Sequence, residues 1–133
     1  MNCQLFFAYG TLRRGFSRHK YLESLPAQFL SRGTARGKLY HLGDYPGAVP
    51  STNPADFVVG EVYRLPGPAR ALKLLDEWEG IRPESPVSGL FRREIAEIEL
   101  GNGTVIEAWI YWLNRWHNPK RRIRSGDYTR NSG

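Results

Sequence analysis

Short segments of apolar residues alternate with turn-forming residues along the chain, and this pattern predicts mostly β-structure. Residues 4–9 are mostly apolar and aromatic and stop at Gly10, which predicts a buried strand that ends in a turn. Residues 56–65 carry apolar side chains on both alternating faces. Such a segment is typical of a strand that is buried on both sides or that curls into a barrel.

The second half of the chain contains the clearest strand pair. Residues 90–100 and 104–113 are strand-like segments joined by Gly-Asn-Gly at 101–103, which predicts a β-hairpin. Gly33 and Gly37 interrupt an earlier strand-like region. Glycines inside strands indicate bends or bulges, so the sheet is expected to be curved.

Two segments have the spacing and the end signals of helices. Ser17 is placed to cap a short helix that reaches about Leu25. A Pro-Gly-Pro sequence opens a second helix over 69–79, with Gly80 as its left-handed cap. Residues 43–54 are rich in Pro and Gly and are interpreted as a loop. The tally of five to seven strands and two helices, without regular alternation, predicts an α+β fold with a strongly curved or closed sheet.

The composition is that of one folded domain. The chain has 133 residues, of which 41% are apolar, which is enough for one core and too few for a second of ordinary size. General disorder is therefore excluded. Cys3 is the only cysteine, so an intrachain disulfide and a cysteine metal cluster are excluded, and the three histidines lie too far apart for a sequence-local zinc motif. A redox or structural-zinc role is disfavoured.

Charge and hydropathy restrict the partners. No stretch reaches the roughly 18 consecutive apolar residues that a membrane helix needs, so a cytoplasmic protein that does not enter a membrane is expected. The net charge is +6, and residues 116–133 hold five basic residues against one acidic residue. Such a tail can bind nucleic acid or anionic lipid, but a solvated terminal segment is the favoured interpretation.

Glu79 is the carboxylate most suggestive of chemistry. On the predicted helix Leu72, Leu75 and Glu79 lie along one stripe, so Glu79 stands where the apolar face ends. A carboxylate against apolar neighbours is desolvated, which raises its pKa toward the range where it can take and give a proton near pH 7. Asp76 and Glu77 are expected to point toward solvent. Glu79 is thus a candidate general acid/base, and the alternative is a helix-end glutamate turned to water.

The turn Tyr9-Gly10-Thr11-Leu12 is the second candidate feature. A strand that ends in glycine and enters a loop ahead of a helix can point several backbone N–H groups into one concavity. Such a cluster of donors suits a carboxylate or a developing oxyanion. The alternative is an ordinary tight turn, because the pattern lacks the spacing of a phosphate-binding or dinucleotide-binding loop.

Taken together, these segments resemble the γ-glutamylcyclotransferase superfamily, and in particular its small AIG2-like, γ-glutamylamine branch. The resemblance covers nearly the whole chain, with its motifs in the right order. The segments that carry it are Phe6-Phe7-Ala8-Tyr9-Gly10-Thr11-Leu12, residues 39–49, Gly60-Glu61-Val62-Tyr63, residues 75–80, Leu90-Phe91-Arg92-Arg93 and Ser125-Gly126-Asp127-Tyr128.

The resemblance implies a small mixed β-barrel with flanking short helices and a pocket at one mouth. It implies that Tyr9, Gly10, Thr11 and Leu12 supply backbone N–H groups to the glutamyl part of the substrate, with Tyr45-Pro46-Gly47 as pocket wall. It also implies that Glu79 is the acid/base. In the family reaction the α-amino group of a γ-glutamyl unit attacks its own γ-carbonyl and releases 5-oxoproline and an amine, with no metal or organic cofactor.

The chain also departs from the family pattern. Many members have tyrosines where this sequence has Ile81 and Phe91, so a hydroxyl that orients substrate is missing here. Residues 82–89 are longer than the usual link and are interpreted as a lid or a loose loop. Arg92 and Arg93 alternate along a strand, so at most one of them faces the barrel interior, and a surface position is favoured.

The leading interpretation is an enzyme of the γ-glutamylcyclotransferase type that acts on a small γ-glutamyl amine or peptide. Residues 1–115 would form the barrel domain and residues 116–133 a basic tail partly packed on it. A monomer is favoured. The alternative is a non-catalytic barrel that binds nucleic acid or a protein through the basic tail. The two interpretations differ in whether Glu79 faces the pocket formed by residues 9–12.

Overall fold

The computed structural model describes residues 3–81, 89–115 and 117–130. The described chain contains eight strands, two α-helices and two short 3-10 helices. The strands are β1 (Leu5–Ala8), β2 (Gln28–Ala35), β3 (Gly37–His41), β4 (Pro46–Pro50), β5 (Val58–Arg64), β6 (Phe91–Leu100), β7 (Val105–Leu113) and β8 (Arg122–Ile123). The helices are α1 (His19–Ser24) and α2 (Pro68–Trp78), with 3-10 turns at Pro119–Arg121 and Tyr128–Arg130.

Five strands form a closed barrel in the order β1-β5-β2-β6-β7. Neighbouring strands are antiparallel except β1 and β7, which pair in parallel at Phe6 and Trp109 and so close the barrel. The predicted hairpin is present as β6 and β7. The predicted α+β fold with a small mixed β-barrel and short helices is therefore confirmed.

A second sheet, ordered β4-β3-β8, lies beside the barrel. The interpretation of residues 43–54 as a loop is wrong, because β4 pairs with the whole of β3 from Gly37 to His41. The two prolines of β4 stand at its ends, where a missing N–H disrupts the ladder least. Gly47 lets the backbone approach Leu113, since a Cβ there would lie 3.2 Å from a Leu113 methyl carbon.

The barrel wall is covered on both sides, as the pattern of residues 56–65 predicts. Phe6 and Tyr63 belong to an apolar cluster that includes the buried face of α2, whereas Phe7 and Val62 belong to a second cluster with residues of the smaller sheet. Successive residues of a strand point to opposite faces. β1 and β5 therefore pack on one face against α2, and on the other against a cluster that combines barrel strands β2, β6 and β7 with residues of the smaller sheet.

The helix ends differ in how well the sequence predicts them. α2 ends at Trp78, and Gly80 adopts φ +73°, the left-handed conformation expected of a capping glycine. α1 begins at His19, so Ser17 is not its N-cap, and the capping position is taken by Arg18 without a side-chain hydrogen bond. The backbone instead enters α1 through successive turns closed by Phe16 N–H to Arg13 O and His19 N–H to Phe16 O.

The described part of the C-terminal segment lies against the barrel. β8 pairs with β3, and the Val59 N–H donates to the Gly126 carbonyl at 2.7 Å. The Arg13 guanidinium pairs with the buried Asp127 at 2.9 Å. The division of the chain at residue 115 stays a prediction. No helix within the described ranges is long and apolar enough to cross a membrane.

Candidate active site

A cleft lies where β1 runs into the following loop, bounded by the C-terminal end of α2. It encloses about 400 Å³ of empty space, a figure that includes the solvent at its open mouth. Most of its lining is apolar or aromatic. The lining residues are Phe6, Phe7, Ala8, Tyr9, Gly10, Thr11, Leu12, Arg18, Tyr45, Pro46, Glu79, Phe91 and Tyr111.

Glu79 is held at the cleft by the end of α2. It follows the last residue of the helix, and its N–H donates to the Leu75 carbonyl at 2.9 Å. Its side chain is 9% exposed. Burial raises the pKa of Glu79 above its usual range; the positive charge of Arg18 acts to lower it and the negative charge of Asp76 to raise it. The carboxyl is thus sheltered and more basic than an ordinary glutamate.

Asp76 does not point toward solvent, so that prediction is wrong. Its carboxylate accepts two hydrogen bonds from Arg93, at 2.8 and 3.0 Å, and one from the Tyr111 hydroxyl at 2.8 Å. A helical projection treats the outer face of α2 as solvent, whereas β6 and β7 carry these donors to that face. Asp76 therefore fixes α2 to the hairpin and places a negative charge near Glu79.

The loop after β1 contributes Gly10, Thr11 and Leu12 to the lining of the cleft. A turn closed by Arg13 N–H to Gly10 O at 3.0 Å shapes it. Within the described chain, no backbone carbonyl accepts from the N–H groups of Gly10, Thr11 or Leu12. Gly10 is required by close approach, because a Cβ there would lie 2.8 Å from Pro46 Cγ. The concavity thus has several amides available to a ligand.

Tyr9 fastens the start of this loop to two strands. Its hydroxyl donates to the Tyr111 carbonyl at 2.5 Å and accepts from the Ala48 N–H at 3.1 Å. Burial raises the pKa of Tyr9, which keeps the hydroxyl protonated and able to donate. The phenol therefore acts on the shape of the cleft.

Glu61 and His19 fasten the far end of the loop. The buried Glu61 carboxylate accepts from the Arg14 N–H at 2.9 Å and from the Tyr63 hydroxyl at 2.8 Å. His19 Nδ1 lies 2.9 Å from the Leu12 carbonyl oxygen. The sequence did indicate that Glu61 has a special role, because it is a carboxylate in a strand whose two faces are both predicted to be buried.

The predicted pocket wall is only partly at the cleft. Tyr45 and Pro46 line it, whereas Gly47 is not among its lining residues. Gly47 lies in β4 opposite Tyr40, where its missing side chain serves packing against Leu113. Phe91 lines the cleft with its ring 6.3 Å from that of Tyr45, so the cleft has an apolar surface at this position.

Arg18 is the cleft residue that sequence reasoning missed. Its Nη1 lies 3.3 Å from Glu79 Oε1, and its side chain is 39% exposed. Nothing in the local pattern indicates this contact, because Arg18 and Glu79 are 61 residues apart in sequence. Tyr111 of β7 also lines the cleft, and sequence reasoning did not single it out as a site residue.

The neighbouring arginines of β6 lie outside the cleft. Arg93 binds Asp76, and its guanidinium lies 4.3 Å from the centre of the Trp109 ring. Arg92 binds Glu94 at 2.9 Å. Neither residue lines the cleft, and both side chains are partly buried, at 34% exposed for Arg92 and 22% for Arg93. The segment at 82–89 was interpreted as a lid or a loose loop, and its residues 82–88 lie outside the described residues.

The arrangement combines one sheltered carboxylate, one guanidinium and a set of backbone amides around an apolar concavity. A carboxylate with a raised pKa can accept and return a proton, and the amides can stabilise a developing oxyanion. The feature that separates the two interpretations of the sequence is the direction of Glu79. Glu79 lines the same cleft as residues 9–12, which favours a catalytic role over a tail-driven binding module.

Comparison with known proteins identifies the family. Residues 6–130 match the family described as γ-glutamyl cyclotransferase, AIG2-like. A provisionally named γ-glutamylcyclotransferase of Vibrio cholerae is 36% identical over 126 residues, which cover 93% of this chain and 94% of that protein. The γ-L-glutamyl-butirosin B γ-glutamyl cyclotransferase of Niallia circulans is 34% identical over 111 residues, covering 82% of this chain and 66% of that protein.

A solved structure supports the same conclusion at the level of the fold. The crystal structure of an AIG2-like protein from Mus musculus superposes with a TM-score of 0.72 at 22% identity, covering 91% of this chain and 83% of that chain. The barrel, the match over nearly the whole sequence and the two relatives agree. The chain belongs to the AIG2-like γ-glutamyl cyclotransferase family.

Proposed function

We propose that this protein is a γ-glutamylcyclotransferase that converts a γ-glutamyl amine or peptide to 5-oxoproline and a free amine. Family membership supports the reaction type, and the name of the Niallia circulans relative states a γ-glutamyl compound as its substrate. The observation that carries the proposal is the sheltered Glu79 carboxyl on the cleft lined by residues 9–12.

The first step is removal of a proton from the substrate. The α-amino group of a γ-glutamyl unit is mostly protonated at neutral pH and cannot attack a carbonyl in that form. Glu79 accepts this proton, because burial raises its pKa and makes the carboxylate a better base. The carboxylate also attracts the ammonium group, which directs that end of the substrate into the cleft.

The second step closes the ring. The freed α-nitrogen attacks the γ-carbonyl carbon of the same molecule, and the carbonyl electron pair moves onto oxygen. Because nucleophile and electrophile are already joined, the protein has only to hold the chain folded in a near-attack shape. The N–H groups of Gly10, Thr11 and Leu12 bind the glutamyl part and stabilise the negative oxygen.

The third step expels the amine. The bond between the γ-carbon and the leaving nitrogen breaks as the carbonyl re-forms, and the proton held by Glu79 passes to that nitrogen. The products are 5-oxoproline and the free amine, and no water is consumed. The aromatic walls at Tyr45 and Phe91 exclude water, which strengthens the electrostatic interactions in the cleft.

The test is a screen of γ-glutamyl amines and γ-glutamyl peptides for release of 5-oxoproline, measured by liquid chromatography. Glu79→Gln keeps the shape of the side chain and removes the base. We expect it to lower kcat roughly 10²- to 10⁴-fold, the usual contribution of general acid–base catalysis. The matched control is Glu77→Gln, the same change on an exposed residue of the same helix, which should retain wild-type activity. Wild-type activity in Glu79→Gln would exclude this function for Glu79.

A further inference from the structure

Arg18 introduces a charge at the cleft that the cyclisation chemistry does not use. Among the described residues that line the cleft it is the only one with a positively charged side chain. In the structure its Nη1 contacts Glu79 Oε1 at 3.3 Å. This contact is long for a charge-assisted hydrogen bond and uses one of the five N–H donors of the guanidinium.

The proposed reaction requires this ion pair to change. The substrate brings an ammonium group to Glu79, so two cations would compete for one sheltered carboxylate. The Arg18 contact also opposes catalysis, because its positive charge lowers the pKa that burial of Glu79 raises. Once the ammonium group takes the carboxylate, Arg18 is left as a cation facing the substrate, and an anion there would restore its pairing.

The depths of the two side chains indicate which part of the substrate Arg18 meets. The Glu79 side chain is 9% exposed and the Arg18 side chain is 39% exposed, so Arg18 is the more open to solvent of the two and lies nearer the mouth. The glutamyl unit must reach both Glu79 and the amides of the loop after β1 in order to cyclise. The leaving amine, attached at the γ-carbon, then extends outward past Arg18.

We propose that Arg18 is a specificity-determining residue that binds a carboxylate on the leaving amine. The preferred substrates are then γ-glutamyl amino acids or peptides, in which a carboxylate lies close to the scissile amide, over γ-glutamyl alkylamines. This inference rests on the proposed cyclotransferase function. The planar guanidinium is suited to this role because it can bind a carboxylate through two parallel hydrogen bonds.

Two substrates that differ in one group test the assignment. γ-Glutamyl-alanine and γ-glutamyl-isopropylamide have the same branched carbon on the leaving nitrogen, with a carboxylate in the first where the second has a methyl group. The wild-type protein should have the higher kcat/KM for γ-glutamyl-alanine. Arg18→Gln should lower kcat/KM for γ-glutamyl-alanine roughly 10- to 150-fold, as expected for loss of a hydrogen bond to a charged group, and should change that for the isopropylamide far less.

Two further variants separate recognition from a general effect of charge. Arg18→Lys keeps the positive charge and should retain part of the preference for γ-glutamyl-alanine. Lys20→Gln removes one positive charge from an exposed residue of α1 and should leave the ratio of the two kcat/KM values unchanged.

The possible outcomes are distinct. If Arg18→Gln lowers kcat/KM equally for both substrates, Arg18 acts on the glutamyl part or on Glu79, and the assignment is overturned. The assignment is also overturned if Arg18→Gln lowers kcat/KM for neither substrate. If the wild-type protein releases 5-oxoproline from neither these two compounds nor the wider screen, the proposed function itself fails, and this inference fails with it.

Discussion

Two arginines from one short stretch of chain each pair with a buried carboxylate, and the two pairs behave differently. Arg13 contacts Asp127 at 2.9 Å in the region where the C-terminal segment lies on the barrel. Arg18 contacts Glu79 at 3.3 Å in the cleft. The side chains of both carboxylates are less than one tenth exposed, at 8% and 9%.

The difference lies in how many hydrogen bonds each carboxylate accepts from the described residues, which is one for Glu79. Asp127 accepts from the Thr129 hydroxyl at 2.6 Å and from the Thr129 N–H at 3.0 Å, besides the bond from Arg13. Burial acts to raise the pKa of Asp127, but the hydrogen bonds from Thr129 and Arg13 outweigh it and the pKa is lowered. For Glu79 burial prevails and the pKa is raised.

The comparison shows what separates a structural carboxylate from a reactive one at equal exposure. Hydrogen bonds that stabilise the charged form fix Asp127 as an anion and make it an anchor for the chain. One long ion pair in an apolar cleft leaves Glu79 able to exchange its proton. The same comparison predicts opposite responses to substitution and to pH.

The largest expected effect is on stability at Asp127. Asp127→Ala leaves the Arg13 guanidinium, whose side chain is 4% exposed, buried without its carboxylate. We expect a loss of about 3 kcal/mol in the free energy of unfolding, measured by urea denaturation, because removing one partner of a buried pair leaves an uncompensated charge. Asp44→Ala, at an exposed aspartate, is the control and should cost less than about 0.5 kcal/mol. Equal stability of the two variants would refute the structural role.

The next largest expected effect is on kcat/KM and acts through the loop after β1. Glu61→Ala removes the acceptor for the Arg14 N–H and so frees the end of the loop from β5. We expect kcat/KM for 5-oxoproline release to fall about tenfold, because small misplacements of binding groups are costly in catalysis. Glu61→Gln keeps an acceptor oxygen, so its kcat/KM should fall less than that of Glu61→Ala. Kinetics are compared well below the unfolding temperature of each variant, and an unchanged kcat/KM in Glu61→Ala would show that the loop does not depend on this bond.

The pH dependence of stability provides a third test. The folded-state pKa of Asp127 lies below its ordinary value of 3.8, so its ion pair stabilises the fold above about that pH and is lost as the pH falls through the lower folded value. Between pH 7 and pH 3 the wild-type protein should therefore lose more stability than Asp127→Asn. Denaturation curves at the two pH values measure these losses of stability. Equal losses in the wild-type protein and in Asp127→Asn would contradict the lowered pKa of Asp127.

The smallest expected effect is on stability at Glu79. Its raised pKa means that the charged form is disfavoured in the fold, so stability decreases as the pH rises from the ordinary value of 4.5 to the higher folded value. Glu79→Gln removes this penalty at neutral pH. We expect its free energy of unfolding to equal that of the wild type or exceed it by up to about 1 kcal/mol, partly offset by loss of the Arg18 contact. If Glu79→Gln lost as much free energy of unfolding as Asp127→Ala, Glu79 would be a structural residue as well.

The sequence predicted those features that depend on local pattern. The hairpin of β6 and β7, the double burial of β5 and the left-handed Gly80 follow from periodicity and from turn chemistry that acts within a few residues. The family resemblance directed attention to Glu79 and to the loop after β1 as parts of one site. Both line the cleft, and their roles remain the proposals made above.

The features that sequence reasoning missed depend on contacts between distant segments. β4 lies in a Pro- and Gly-rich stretch whose local preference is for a loop, but β3 supplies hydrogen-bonding partners along its length. Asp76 was placed in solvent because a helical projection carries no information on Arg93 and Tyr111 of the hairpin. The Arg18–Glu79 pair likewise exists only once α1 and α2 are brought together by the barrel.

A titration of the Glu79 side-chain carboxyl carbon by ¹³C NMR measures whether this carboxyl is sheltered and more basic than an ordinary glutamate, with Glu79→Gln used to assign the resonance. The account predicts a midpoint above the ordinary value of 4.5, and a still higher midpoint in Arg18→Gln, where the neighbouring positive charge is gone. A midpoint at or below 4.5 in the wild-type protein would contradict it, because burial would then not prevail over the Arg18 charge in setting the pKa of Glu79.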